Sequence, residues 1–185
     1  ACAEALDRAL GYGAVAVRRL AAEALGALAS RAAASHPELA ASCVSSLAVR
    51  ALAAEAHRFR PMLRFRAVEL LGEIGAGAVG LPGGLAAQCA KAIAKKGLVD
   101  SLGGLRVRSA EVLGDLALSA QGKDDRLVEQ SAKLLELVAR TDALRVVRDM
   151  AAESLRRLRG VASAPPVRAR GAPPAGEATN SQGGA

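Results

Sequence analysis

The side chains best suited to nucleophilic, acid–base or metal chemistry in this sequence are three cysteines and two histidines: Cys2, Cys43, Cys89, His36 and His57. A thiol beside an imidazole would form a nucleophilic dyad. Cys43 and His57 lie fourteen residues apart in one predicted helix. That spacing separates them by about four turns, or ~21 Å, and excludes a dyad. The cysteines are odd in number and widely spaced, so they predict neither a disulfide framework nor a metal cluster, and Cys43 and Cys89 are expected to be buried thiols.

Two further patterns resemble chemical motifs but lack the required context. The segment 75–80 satisfies G-x-G-x-x-G, yet it follows a predicted helix rather than a strand, which rejects a dinucleotide site. No Lys-Ser or Lys-Thr follows the glycine-rich segment 75–84, so a P-loop is excluded as well. Adjacent Asp124 and Asp125 are expected to start a helix rather than to act as an acid–base pair. The sequence therefore predicts a protein that is not an enzyme and has no catalytic, cofactor or metal site.

A twelve-residue block that occurs four times decides the predicted fold. Its second place is always Arg, its seventh always Glu and its ninth always Leu. The second-place arginines are 46, 42 and 42 residues apart, and a fixed period of this size indicates a repeat architecture. The copies read VRRLAAEALGAL from Val17, LRFRAVELLGEI from Leu63, LRVRSAEVLGDL from Leu105 and VRDMAAESLRRL from Val147.

Within each block, places one, five, nine and twelve are apolar, apart from Ser109, and this spacing keeps them on one face of an α-helix. The sixth place is small or apolar and widens that stripe. The seventh-place Glu points away from it and is expected to pair within its own helix. The expected pairs are Arg19–Glu23, Arg66–Glu69 and Arg108–Glu111.

Each period is predicted to be a pair of helices, in which the block forms the second helix. First helices are expected over 38–57, 85–102 and 125–140, with a short version over 3–10. Four pairs then span about 1–30, 35–76, 84–119 and 124–160. The first-helix starts are predicted at a capping box of Ser35 and Glu38 and at Asp124 or Asp125. Segment 75–84 is expected to be a loop between repeats, and Gly103-Gly104 and Thr141-Asp142 are expected to be turns within repeats.

The block resembles the second helix of a HEAT repeat, which carries Val-Arg, a pair of small residues and Leu-Gly near its end. Val17-Arg18, Ala21-Ala22 and Leu25-Gly26 match that pattern, and the second and third copies keep Leu-Arg and Leu-Gly. The fourth copy has Arg156 in place of the glycine. An Asp usually precedes the Arg in that family, and only Asp142 stands in such a turn here. The resemblance implies an all-α, right-handed solenoid over residues 3–160, with HEAT favoured over the three-helix armadillo repeat.

Composition indicates how the core is built and in which compartment the protein is found. The chain has 185 residues, of which 51% are hydrophobic and 2% aromatic, so its core must be built from Leu, Val and Ala. It contains no run of eighteen apolar residues, and no membrane span is predicted. Free thiols indicate a reducing, intracellular compartment, with the cytoplasm expected. Residues 161–185 are rich in Pro, Gly and Ala and are expected to be disordered. The chain begins with Ala at a short first helix, and we expect a fragment or a processed form.

Helical-repeat arrays mostly present surfaces to partners, so the sequence predicts a protein–protein interaction scaffold. We expect it to be a subunit or adaptor of a larger assembly, with cytoskeletal, ciliary and organellar assemblies all open. The third and fourth places of the block vary between copies and are predicted to be exposed. The partner-binding residues predicted there are Arg19, Phe65, Arg66, Val107, Arg108 and Asp149.

The net charge of +7 leaves a second function open. Clustered arginines could form a basic ridge that attracts phosphates or acidic protein segments. On this alternative the protein associates with nucleic acid, although few aromatic residues are present for base stacking. The residues predicted to form the ridge are Arg58, Arg60, Arg64 and Lys95.

Overall fold

The computed structural model describes residues 1–12, 14–52 and 61–160, and these ranges contain helices but no strand. The prediction of an all-α fold is confirmed. Two π-helical segments, Leu47–Leu52 and Ile93–Gly97, follow the third and fifth helices. The described α-helices are α1 (Cys2–Ala9), α2 (Val15–Ala32), α3 (Pro37–Ser46), α4 (Pro61–Gly77), α5 (Leu85–Ala92), α6 (Gly103–Ala120), α7 (Asp125–Thr141) and α8 (Arg145–Leu158).

The helices form two rows. The four block helices contact one another in chain order: α2 with α4, α4 with α6, and α6 with α8. The first helices do the same, α1 with α3, α3 with α5, and α5 with α7. The π-helical segments join the rows, since Leu47–Leu52 contacts α4 and Ile93–Gly97 contacts α6. A residue in one block helix therefore meets residues about one period away in the chain.

The core lies between the two rows and is built on the apolar stripe of the block. The ninth-place leucines Leu25, Leu71 and Leu113 are fully buried, and Leu155 is nearly so. Places one, five and twelve are buried in the second, third and fourth copies, as predicted. The first copy departs from the pattern at Val17, which is 40% exposed, and at Leu28, which is half-buried. Among the described residues, α2 has a neighbouring block helix on one side only, whereas α4 and α6 have one on each side.

The block helices approach one another through the glycine at the tenth place. A Cβ at Gly72 would overlap Val112 Cγ1 of the next block helix. A Cβ at Gly114 would lie 2.6 Å from Ser154 Cβ, in the next junction. The tenth-place glycine thus receives the eighth-place side chain of the following block. This contact explains physically why Leu-Gly recurs in the block.

The first helices differ from their predicted form. The helices expected to run without change over 38–57 and 85–102 become π-helical after Ser46 and Ala92. The π pattern of i→i+5 bonds is compatible with burial of Leu47, Ala51 and Leu52 on one side. Apolar spacing alone does not separate these two helix types over a single turn, so the change was not predictable from the pattern.

Several predicted boundaries are also corrected. Ser35 does not cap α3, because the helix begins at Pro37 with His36 as its N-cap and no side-chain cap bond. The loop expected from residue 75 starts later, since α4 continues to Gly77 and Gly75 packs against α5 and α6. Gly103 begins α6 instead of ending a turn. The prediction for Asp124 is confirmed: its side chain accepts a bond from the amide of Leu127 at 3.0 Å.

Some predictions fall outside the described residues. The expected disorder of 161–185 belongs to this group, as do His57, Arg58 and Arg60. Within the described residues, none of the helices combines the length and the apolar character needed to cross a bilayer.

Candidate partner-binding surface

The second-place arginines link successive helix pairs through aspartates in the turns. Arg64 Nη1 donates to Asp100 Oδ1 at 2.8 Å and to Oδ2 at 2.6 Å. Arg106 repeats this contact one period later, donating from Nε and Nη2 to Asp142 at 2.8 and 3.1 Å. Both carboxylates also accept the amide two residues ahead, that of Leu102 or Leu144, which fixes the start of the following block helix.

The same arginines bond to their own turns. Arg106 Nη1 donates to the carbonyl of Asp100 at 2.8 Å, and Arg148 Nη1 donates to the carbonyl of Asp142 at 2.7 Å. The aspartate of each turn therefore accepts hydrogen bonds from two arginines. Its side-chain carboxylate binds the arginine of the preceding helix pair, and its backbone carbonyl binds the arginine of its own pair. We call the resulting chain, Arg64–Asp100–Arg106–Asp142–Arg148, the Arg–Asp ladder. The sequence predicted only Asp142 here; the missed signal is that Asp100 and Asp142 both stand six residues before a second-place Arg.

The ladder changes the interpretation of the predicted basic ridge. Arg64 is 7% exposed and its charge is matched by Asp100, so the prediction that it offers a free cation to phosphate is wrong. A guanidinium held in this way by a buried carboxylate is unavailable to solvent anions. Lys95 is exposed on Ile93–Gly97. Arg58 and Arg60 lie outside the described residues, so the structure does not assemble the ridge.

A second set of ion pairs links the block helices on their outer surface. Arg66 donates from Nε and Nη2 to Glu23 of the preceding block at 2.7 and 2.9 Å. Arg108 donates to Glu69 of its preceding block at 3.0 Å. We call these contacts, Arg66–Glu23 and Arg108–Glu69, the Arg–Glu ladder. The hydrogen bonds from Arg66 hold the pKa of Glu23 below its usual value, and the pKa of Arg66 is raised in return.

The Arg–Glu ladder corrects the expected role of the fourth place. Arg66 and Arg108 were predicted to be exposed recognition residues, but both are half-buried and hold neighbouring helices together. The predicted pairs within one helix, Arg66–Glu69 and Arg108–Glu111, are present as well, at 3.3 and 2.6 Å. Glu23 is bonded by Arg66 instead of the predicted Arg19, because Arg66 faces it across the helix junction.

A groove lies between the first turns of α2 and α4, with a volume of about 840 Å³. Three of the predicted partner-binding residues, Arg19, Phe65 and Arg66, line it. Two apolar side chains that the sequence did not single out also line it: Val15 is 49% exposed and Met62 is 74% exposed. The signal for these two was present, since each stands just before a block, where helix periodicity places it off the buried stripe.

The other predicted partner-binding residues are not brought to this groove. Val107 and Arg108 are half-buried on α6, and Arg108 is engaged in the Arg–Glu ladder. Asp149 is exposed on α8 and pairs with Arg145 at 3.4 Å. The six residues therefore do not form one continuous site. The groove between α2 and α4 is the part of the prediction that the structure assembles.

Two of the three cysteines lie in the core. Cys43 and Cys89 are fully buried, as predicted, and burial raises the pKa of the Cys89 thiol to about 12. A thiol with so high a pKa is a poor nucleophile at neutral pH. In the described part of the chain, His, Cys, Asp and Glu side chains do not group in a way that could hold a metal ion.

The chain has no match among protein-family models, and none among curated proteins. Family membership therefore does not follow from these comparisons.

Proposed function

We propose that this protein is a HEAT-like, right-handed α-solenoid that serves as an interaction scaffold within a larger assembly. Two rows of helices that meet in chain order support the solenoid arrangement. The Arg–Asp and Arg–Glu ladders support it further, because each repeats one contact from one helix pair to the next. Stacked pairs of this kind bury a continuous core and leave the outer surface of the block helices to vary.

The observation that carries the proposed function is the groove between α2 and α4. Its apolar side chains Val15, Met62 and Phe65 lie beside the charged residues Arg19 and Arg66. An exposed apolar patch with a polar rim is typical of a protein-binding site. We therefore assign the groove to a protein segment that inserts apolar side chains between the first turns of the two block helices.

The expected setting is an intracellular assembly. The buried thiols Cys43 and Cys89 suit a reducing compartment, because free cysteines persist there without oxidation. A cytoplasmic, cytoskeletal, ciliary or organellar assembly fits this proposal equally well. Co-purification from native material is the experiment that would identify the partner.

The test is a single charge placed in the groove. Met62→Glu introduces a carboxylate at a side chain that is already 74% exposed, so the fold should be retained. The matched control is Val49→Glu, which makes the same kind of change at a 62% exposed side chain outside the groove. Wild type and both variants are crosslinked and purified from cells that express the protein. The proposal expects Met62→Glu alone to lose specific partners; identical partner sets for both variants would contradict it.

A further inference from the structure

The outer face of α8 is the face that carries its second-place Arg148. It differs in sequence from the equivalent face of the other block helices, which lies against the next block helix. Arg145, Arg148 and Arg156 stand at helical spacing on one side of α8, with Ala152 between them, and Arg159 continues this spacing directly after the last residue of the helix. In α2, α4 and α6 the second-place Arg is kept, but the places that match Arg145, Arg156 and Arg159 hold small or apolar residues. They are Val15, Gly26 and Ala29 in α2, Pro61, Gly72 and Gly75 in α4, and Gly103, Gly114 and Ala117 in α6.

In the interior junctions this face is covered by the next block helix. The sixth-place residues Ala22, Val68 and Ala110 are all fully buried there. The equivalent Ala152 of α8 is only half-buried, and no helix of the described residues lies over it. Among the described residues, the face that is covered by a helix in three junctions is therefore uncovered on α8, and Ala152 leaves room for the close approach of a helix.

The guanidinium of Arg148 is held in the same way as that of Arg106, which binds a carboxylate. Its Nη1 donates to the carbonyls of Asp142 and Ala143 at 2.7 and 3.1 Å, as Arg106 does in its own turn. Arg106 then uses Nε and Nη2 to bind the Asp142 carboxylate of the next pair. Within the described ranges, the carboxylate that would correspond to Asp142 is not present at Arg148. Among the described residues, Arg148 is therefore the last arginine of the Arg–Asp ladder and the one without a ladder carboxylate.

We propose that an acidic helix of a partner protein packs across the outer face of α8 and places a carboxylate on Arg148. The partner carboxylate takes the position that Asp100 has at Arg64 and that Asp142 has at Arg106. Further carboxylates on the same helix meet Arg156 and Arg159. Arginine suits this role, since its planar guanidinium binds a carboxylate through two parallel hydrogen bonds. This surface lies on a different helix from the groove between α2 and α4, so the two proposals stand independently.

The acids already on α8 do not block this surface. Arg145 pairs with Asp149 at 3.4 Å, and both side chains are largely exposed. Arg156 pairs with Glu153 within the same helix. Arg145 and Arg156 are themselves exposed, and ion pairs at such solvent-accessible positions contribute little to stability, so both guanidiniums remain accessible to an incoming carboxylate. A carboxylate helix is favoured over a nucleic acid, because the ladder itself shows which group this arginine position binds.

The test uses helical peptides as probes. One fluorescent peptide carries four glutamates in the spacing of the four arginines; its isomer has the same composition with the glutamates spread around the helix. We expect the patterned peptide to bind more tightly than the isomer. Arg148→Gln should weaken its binding at least about tenfold, the effect of losing a charged hydrogen-bond pair. Arg156→Gln with Arg159→Gln should also weaken binding, and because both residues are exposed this variant keeps its fold.

The control variant is Arg8→Gln with Arg31→Gln, which removes the same charge from exposed positions on α1 and α2. Equal loss of binding in this control, or equal binding of the two peptides, would show a general charge effect and overturn the proposal. Tighter binding of an RNA oligonucleotide than of the patterned peptide would assign the face to phosphates instead. Self-association in sedimentation that is lost in Arg148→Gln would assign it to a second copy of the chain.

Discussion

Arg64 and Asp100 lie 36 residues apart in the chain, yet they form an ion pair in which both side chains are less than one-tenth exposed. Arg64 belongs to a block helix, whereas Asp100 belongs to the turn of the next helix pair. The contact therefore joins two units that the chain builds separately. It also shows why the second-place Arg recurs without variation while its neighbours in the block change.

Removing the carboxylate from this pair should destabilise the protein strongly. In Asp100→Ala the Arg64 guanidinium stays buried without its counter-charge, and the amide of Leu102 loses its acceptor. We expect the free energy of unfolding to fall by about 3–5 kcal/mol in urea titrations. Asp125→Ala, at an exposed helix start, should cost less than about 1 kcal/mol. Arg64→Met combined with Asp100→Ala should recover part of the loss, and a double variant weaker than Asp100→Ala would contradict this account.

Two glycines of α4 provide a matched test of helix contact. Gly72→Ala places a Cβ against Val112 of α6, and this overlap should outweigh the better helix propensity of alanine. We expect a loss of about 1–3 kcal/mol in thermal or urea unfolding. A Cβ added at Gly77 would have no neighbouring atom within 4 Å, so Gly77→Ala should stabilise the protein by up to about 1 kcal/mol. We expect the two substitutions to change the free energy of unfolding in opposite directions; a gain in stability in both variants would mean that the α4–α6 junction has room for a methyl group at Gly72.

Acid should weaken the Arg–Asp ladder. The hydrogen bond from Arg106 holds the pKa of Asp142 below its ordinary value of 3.8. A carboxyl whose pKa is lower in the folded state stabilises the fold above the unfolded pKa, and this contribution is lost as the pH falls through the folded pKa. At neutral pH, Asp142→Asn should be less stable than wild type, and the difference should shrink below about pH 3.8. Urea titrations at a series of pH values measure it, and a difference that is constant with pH would contradict this assignment.

The cysteines should react in two classes. Cys2 is exposed, whereas Cys43 and Cys89 are buried, and burial raises the pKa of both inner thiols. A thiol reagent at mildly alkaline pH should therefore modify Cys2 quickly in the folded protein and the other two only after unfolding. Mass spectrometry of the labelled peptides distinguishes the sites. Labelling of Cys89 at the rate of Cys2 in native protein would show that the α4–α5 interface opens readily.

The block helices and their buried faces were predictable because they follow a local rule. Apolar side chains at places one, five, nine and twelve fall on one face of a helix, so the burial of Leu71 and Leu113 follows from spacing alone. The Arg–Asp and Arg–Glu ladders were harder, since Arg66 and Glu23 are brought together by stacking and not by their position in one helix. A sequence shows which residues share a helix face, but not which face of the next helix meets it. The half-buried state of Arg66 was therefore missed.

The same limit applies to the groove. Phe65 and Arg19 were selected because the third place of the block varies, and the structure places both along one groove. Met62 and Val15 fall outside the predicted set, because they precede the block and the repeat pattern covers only the block. Val107 and Asp149 share the third place with Phe65 but lie on other helices. Equivalent places in a repeat thus mark similar positions on each helix and do not by themselves make one binding site.

Asp142 couples the two helix pairs on either side of its turn. Its carboxylate holds Arg106 of one helix pair and the first turn of α8 in the next, so neither pair can open at this turn without releasing the other. Local fluctuations of the α7–α8 turn should therefore extend into α6, and amides on the two sides should exchange with solvent as one cooperative unit. In most folds a turn is among the first parts to open. Here the α7–α8 turn instead joins two helix pairs into one cooperative unfolding unit.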